Sequence, residues 1–166
     1  TTLFRSVIRM FEEIRPDIFT GFNSHGFDLP YIVNRLENIL GIEAVSRLSP
    51  FNVIQKREVI DKSFFQPRKI IEIEIFGITH LDYKQVYEKH GYTTLDSFSL
   101  NSIAEHELGE SKLSYEEEGS LHNLYVVNPQ KFVEYNIRDV KLMVDIENKR
   151  KLFDKIIAIT FLSKSN

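Results

Sequence analysis

The sequence predicts a layered α/β domain, and three observations carry that reading. A helix, a strand and a second helix follow one another in the first 41 residues. Two arms of alternating apolar residues then face each other across a polar middle between residues 52 and 75. After a second short core strand, the chain ends in a series of amphipathic, capped helices. Helices interleaved with short strands are the pattern of sheets covered by helices.

Each element has its own signal. In residues 3–15, "LFRSVIRMFEEIR", Leu3, Val7, Met10, Phe11 and Ile14 recur at helical spacing. Arg15-Pro16 stops that helix, because a residue before proline avoids the helical region. Residues 17–23, "DIFTGFN", are short, apolar and rich in strand formers, with Gly21 marking a kink or close approach. From Pro30, "PYIVNRLENILG" reads as a helix capped by Gly41. The arms "REVI" and "IIEIEIF" around Pro67 read as a long β-hairpin over about 52–75, with Glu72 and Glu74 on a wet face. "GITHLDY", residues 77–83, is a second core strand that runs into a helix, "KQVYEKHG", ended by Gly91.

The C-terminal half is helical. Ser99 is a fair N-cap for "LNSIAEHELG", with Ala104 and Leu108 inside the helix and Gly109 ending it. Residues 109–120, "GESKLSYEEEGS", are polar and read as a surface loop. Asn128 as N-cap and Pro129 at the first position open a last long helix, which runs to about Lys155. Phe132, Val133, Val140, Met143 and Val144 are expected on its buried side. No repeat, low-complexity tract or linker divides the 166 residues, so a single domain is expected.

Composition narrows the function classes. The chain is 42% apolar and 27% charged, which is globular rather than disordered, and thirteen Phe with seven Tyr supply bulky core material. There is no cysteine, so disulfides and thiolate-bound zinc are excluded. A net charge of −3 excludes a polycationic nucleic-acid binder, while a local basic groove or charge balanced by bound metal stays open. No apolar run reaches the roughly 18–20 residues that span a bilayer. The five histidines lie far apart, without the paired spacing of a zinc helix, and read as ordinary surface or core residues. There is no glycine-rich phosphate loop, no G-x-S-x-G elbow and no cysteine nucleophile.

The acidic residues are more informative. "NSHGFD" puts Asn23 at a strand end and Phe27-Asp28 at a helix start. Asp28 reads either as an N-cap, accepting a backbone N–H at the positive end of the helix, or as a metal-site carboxylate. "YNIRD" puts Tyr135 and Asp139 four apart on one helix face, which is either solvated or functional. Together, two carboxylates and a tyrosine hydroxyl suit a hard divalent cation and an oriented water. Hydrolysing a phosphodiester needs an activated water and a stabilised leaving oxygen, and two such cations serve both ends.

These segments resemble a known family. "NSHGFD" has the N-x-x-x-F-D form of the second exonuclease motif of family B DNA polymerases, and "YNIRD" the Y-x-x-x-D form of the third. "GFNSHGFDLPYIVNR", "RLSP", "FGITHLDY", "FSLNSIAEHEL" and "KLSY" follow in the order of the T-even phage type, so the resemblance covers about residues 3–155. It implies a ribonuclease H-like 3′–5′ proofreading exonuclease fold with an inserted β-hairpin. It implies two bound Mg²⁺ or Mn²⁺ ions and removal of mispaired nucleotides from a single-stranded DNA primer end. Carried across, Asp28 and Asp139 are metal-site carboxylates, Tyr135 orients the attacking water, Asn23 and Phe27 hold the unpaired terminus, and Lys112 lies near the scissile phosphate. Two residues more than the family spacing separate Lys112 from Tyr135.

The family's first motif, a D-x-E, has no match in residues 1–27, where the acids are Glu12, Glu13 and Asp17. The expectation is therefore an N-terminally truncated exonuclease domain, weak or inactive alone. Its partners would be the rest of the polymerase, or a second copy pairing through an exposed sheet edge. The resemblance further implies a cytoplasmic place in a phage-infected host, with no membrane contact. Two other readings remain: a non-catalytic DNA-binding or scaffold module, and a stand-alone ribonuclease H-like nuclease, against which the long hairpin argues.

Overall fold

In the computed structural model, residues 2–61, 68–110 and 121–164 are described. The chain divides into two compact units, Thr1–Tyr83 and Lys84–Asn166.

The first unit is mixed α/β. Helix α1 (Thr2–Ile14) leads to strand β1 (Ile18–Gly21), followed by α2 (Asp28–Leu40), α3 (Ile42–Ser46), β2 (Ile54–Asp61), β3 (Arg68–Ile75) and β4 (Thr79–Asp82). Strands β2 and β3 pair antiparallel from Ile54↔Ile75 to Asp61↔Arg68, which are the two expected arms; residues 62–67 between them lie outside the described residues. Strands β1 and β4 pair parallel, Ile18↔Thr79 to Gly21↔Asp82. A parallel pair needs a long crossover, and here α2, α3 and the β2–β3 pair supply it.

The core of this unit is built from Ile8 and Phe11 of α1, Leu29, Val33 and Leu36 of α2, and Ile73 and Ile75 of β3, among others. Helix α1 turns a different face inward than its strongest stripe suggests. Ile8 and Phe11 are buried with Phe4 and Val7 packed against them, whereas Leu3, Met10 and Ile14 are exposed. Two apolar stripes lie side by side on this helix, and packing on Phe19 and α2 selects the 4/7/8/11 side. Arg15 ends α1 in a left-handed conformation, φ 47°, just before Pro16. Gly41 ends α2 at φ 85°, with its N–H bonded to the carbonyl of Glu37, as its sequence position indicates. The short α3 carries too few periodic residues to be legible in the sequence.

The second unit is helical: α4 (Tyr83–His90, shared with the first unit at its first residue), α5 (Leu100–Leu108), α6 (Leu121–Val127), α7 (Pro129–Arg150) and α8 (Leu152–Ser163). Ser99 caps α5 through the Ser102 N–H at 3.2 Å, and Asn128 caps α7 through the Lys131 N–H at 3.0 Å. Both caps sit where the sequence puts them.

Two expectations for the last helix are corrected. It does not run to Lys155: Lys151 takes φ 52° and separates α7 from α8. The Glu147 carboxylate then accepts the Leu152 and Phe153 N–H groups, each at 3.0 Å, and so caps α8. Its buried face is also different. Tyr135, Leu142 and Ile146 are buried, while Val133, Val140 and Val144 are exposed. The inward stripe is chosen by packing on α5 and α6 rather than by the count of valines. Among the described residues no helix is long and apolar enough to cross a membrane.

Candidate nuclease site

In the first unit the site is built at the carboxyl end of the parallel pair. In open α/β sheets ligands gather at that edge, because the loops leaving the strands converge there. Strand β1 ends at Gly21, and the loop 22–27 connects it to α2. A side chain at Gly21 would come within 2.8 Å of the Ser24 Cβ, so the tight return of the loop needs glycine there. Asn23 stands just past the strand with φ 59°, a left-handed turn that asparagine tolerates.

The loop exposes the residues singled out by the motif. Phe27 is 66% exposed, and its ring lies parallel to Tyr31, with centroids 6.3 Å apart and planes at 8°. The pair forms an exposed aromatic patch at the start of α2. Tyr31 was not singled out in the sequence, although its i+4 spacing from Phe27 was there to be read.

Asp28 is the first residue of α2, and the N-cap position belongs to Phe27, which makes no side-chain cap hydrogen bond. The capping reading of Asp28 therefore gives way to a carboxylate in the first helical turn. The residue as a whole is exposed. Desolvation of its carboxyl group nevertheless raises the pKa, its own backbone N–H opposes the shift, and the charge of Asp82 adds to the rise. Asp82 is thus a second acidic neighbour. It lies at the end of β4, is 7% exposed, and accepts the backbone N–H groups of Asn23 and His25. Sequence reasoning missed it, because only the parallel β1–β4 register places it beside Gly21.

Two histidines meet here, His25 of the loop and His80 of β4. His25 and His80 stack at 5.8 Å, and His80 Nε2 is 2.9 Å from the Ser24 hydroxyl. Burial lowers the pKa of His80, the neighbouring His25 adds to that, and Asp82 opposes it.

The second unit places Tyr135 and Asp139 one turn apart on α7. Tyr135 is buried and Asp139 half-buried, on the face that also carries Leu142 and Ile146. Arg138, next to Asp139, pairs with Glu110. Lys112 lies outside the described residues. Among the described residues no group of three or more histidines and carboxylates is arranged to hold a metal.

A second polar centre in this unit is structural in character. Glu107, 5% exposed, accepts the Tyr87 hydroxyl at 2.5 Å, with Lys149 and Arg150 beside its carboxylate at 3.6 and 3.5 Å. Burial first, then Glu107, push the Tyr87 phenol up to about 12.

The comparisons with known proteins settle the class. Residues 1–103 match the family described as DNA polymerase family B, exonuclease domain, and the chain belongs to that family. Over 157 residues, 95% of the chain, it is 36% identical to the DNA-directed DNA polymerase of Enterobacteria phage T4, and over 162 residues, 98% of the chain, 34% identical to that of Escherichia phage RB69. The catalytic subunit of DNA polymerase delta from Bos taurus is 33% identical over 104 residues, 58% of the chain. The chain spans 17% of the length of the two phage polymerases.

Proposed function

We propose that the chain is the 3′–5′ proofreading exonuclease portion of a phage-type DNA polymerase, with a ribonuclease H-like fold, acting on a single-stranded DNA primer end. Family membership together with the exposed Phe27 patch beside Asn23 and Asp28 carries this reading. A nucleobase stacks on an aromatic face whatever its identity, which suits a site that must accept any mispaired nucleotide. Asn23, held in a left-handed turn at the same loop, offers amide hydrogen-bond groups to the terminal nucleotide.

The donor chemistry fits divalent cations of the Mg²⁺ or Mn²⁺ kind. Asp28 is exposed to solvent, and its ionised form is disfavoured partly by the charge of Asp82. A cation on Asp28 would relieve that repulsion. When bound, a pair of such ions supplies an activated water and stabilises the leaving oxygen. Asp28 and Asp139 are the residues proposed to hold them. Tyr135 is proposed to orient the attacking water through its hydroxyl, and Lys112 to stand near the phosphate.

Mg²⁺ takes six oxygen ligands in an octahedron, several of them water. Asp28 and Asp139 together supply few, so the chain by itself is expected to bind metal weakly and trim DNA slowly. The test is an assay of 5′-labelled single-stranded DNA with Mn²⁺, reading 3′ shortening and binding to the DNA end. Binding with at most slow shortening, and loss of any shortening in Asp139→Ala, is the expected result. Rapid trimming by the chain alone, or trimming indifferent to Asp139→Ala, overturns it.

A further inference from the structure

Two side chains of β4 grip the loop that presents Asn23 and Phe27. His80 and Asp82 are two apart on one strand and so project from the same face. Asp82 uses both carboxylate oxygens: Oδ1 accepts the Asn23 N–H and Oδ2 the His25 N–H, each at 3.0 Å. His80 meets the Ser24 hydroxyl, which itself donates to the Gly21 carbonyl at 3.1 Å, and Ser24 is fully buried. The three residues Asn23, Ser24 and His25 are thus fixed from one strand, while the exposed face of the loop is left to Phe27 and Asp28.

We propose that Asp82 is a positioning residue for the DNA-end grip: by clamping alternate backbone N–H groups it holds Asn23 in its left-handed turn and sets the entry of the chain into α2 at Phe27 and Asp28. This rests on the functional reading of Asn23, Phe27 and Asp28 given above. A carboxylate suits the task for a geometric reason. Its two oxygens serve two N–H donors that point the same way, and hydrogen bonds to a charged acceptor are about twice as strong as neutral ones. No neutral side chain offers two equivalent acceptors in one plane. The parallel register of β1 and β4, Gly21↔Asp82, brings the clamp to the loop at no cost in chain length.

The test compares Asp82→Ala and Asp82→Asn with Val33→Ala, which loosens the same unit from its core without touching the loop. Amide hydrogen exchange at Asn23 and His25 reads the clamp. Fluorescence anisotropy of a labelled oligothymidylate with a free 3′ end reads the grip. All are measured at a temperature where each variant remains folded. The account expects Asp82→Ala to speed exchange at both amides at least roughly tenfold beyond Val33→Ala, and to weaken oligonucleotide binding by a similar factor. Asp82→Asn keeps one acceptor oxygen, so one amide stays protected and binding falls by less. If Asp82→Ala does not fold, Asp82→Asn carries the same comparison.

Unchanged exchange overturns the proposal. So does faster exchange with binding equal to that of Val33→Ala, because Asp82 would then serve stability alone. A wild-type chain that binds no oligonucleotide contradicts the functional reading instead, and the amide arm alone then decides whether Asp82 holds the loop.

Discussion

Asp82 and Glu107 are both buried carboxylates, one in each unit, and they are satisfied in opposite ways. Asp82 accepts backbone N–H groups of a loop that carries exposed residues. Glu107 accepts a tyrosine hydroxyl and faces two cationic side chains from the neighbouring helix. The first arrangement shapes a surface, whereas the second ties α4, α5 and α7 together. A buried acid therefore signals function only through what it holds, and the comparison can be broken residue by residue.

The largest effect is expected at Glu107. Glu107→Ala removes the acceptor of the Tyr87 hydroxyl and the carboxylate beside Lys149 and Arg150. A loss of about 3 kcal/mol from the second unit is expected, near the low end for a broken buried pair because Lys149 is half exposed. Chemical denaturation followed by circular dichroism measures it. If Glu107→Ala is nearly neutral, the polar centre is not what joins these helices.

The next effect is alkaline. Because the Tyr87 phenol is raised to about 12 in the folded chain, its neutral form stabilises the second unit fully below about pH 10. That stability is lost as pH rises from 10 through 12, amounting to at most about 2 kcal/mol once screening is allowed for. Tyr87→Phe should remove this step from a plot of stability against pH.

The smallest effect belongs to the first unit and has the opposite direction in pH. The pKa of His80 is lowered by burial, so its neutral form is the folded one. Its contribution is complete above about pH 6.5 and is lost as pH falls below that. The raised pKa of Asp28 acts the other way, favouring the fold in the more acidic carboxylate range. A thermal midpoint lower at pH 5.5 than at pH 7.5, with the difference reduced in His80→Gln, is the expected result.

Much of the fold was legible where local chemistry decides it. Ser99, Gly109, Asn128 and Gly41 mark helix ends through caps that act within one turn. The alternating isoleucines of β3 announced a strand for the same reason. What stayed hidden depends on partners distant in sequence. The inward faces of α1 and α7 are chosen by their neighbours, so Leu3, Val133 and Val140 look like core in sequence yet lie exposed. The break at Lys151 relies on Glu147 reaching the first turn of α8, a contact no periodicity reveals. Asn23, Phe27 and Asp28 in the first unit, and Tyr135 and Asp139 in the second, were readable as motif spacing. Asp82 was not, because only the parallel pairing of β4 with β1 brings it to the loop.

The central proposal is that Asp28 and Asp139 are both metal-site carboxylates. Calorimetric titration of the chain with Mn²⁺, repeated on Asp28→Asn and Asp139→Asn, tests it most directly. The account predicts weak, saturable binding in the wild type that is reduced in each single variant. No binding in the wild type, or binding that survives both substitutions, would contradict it.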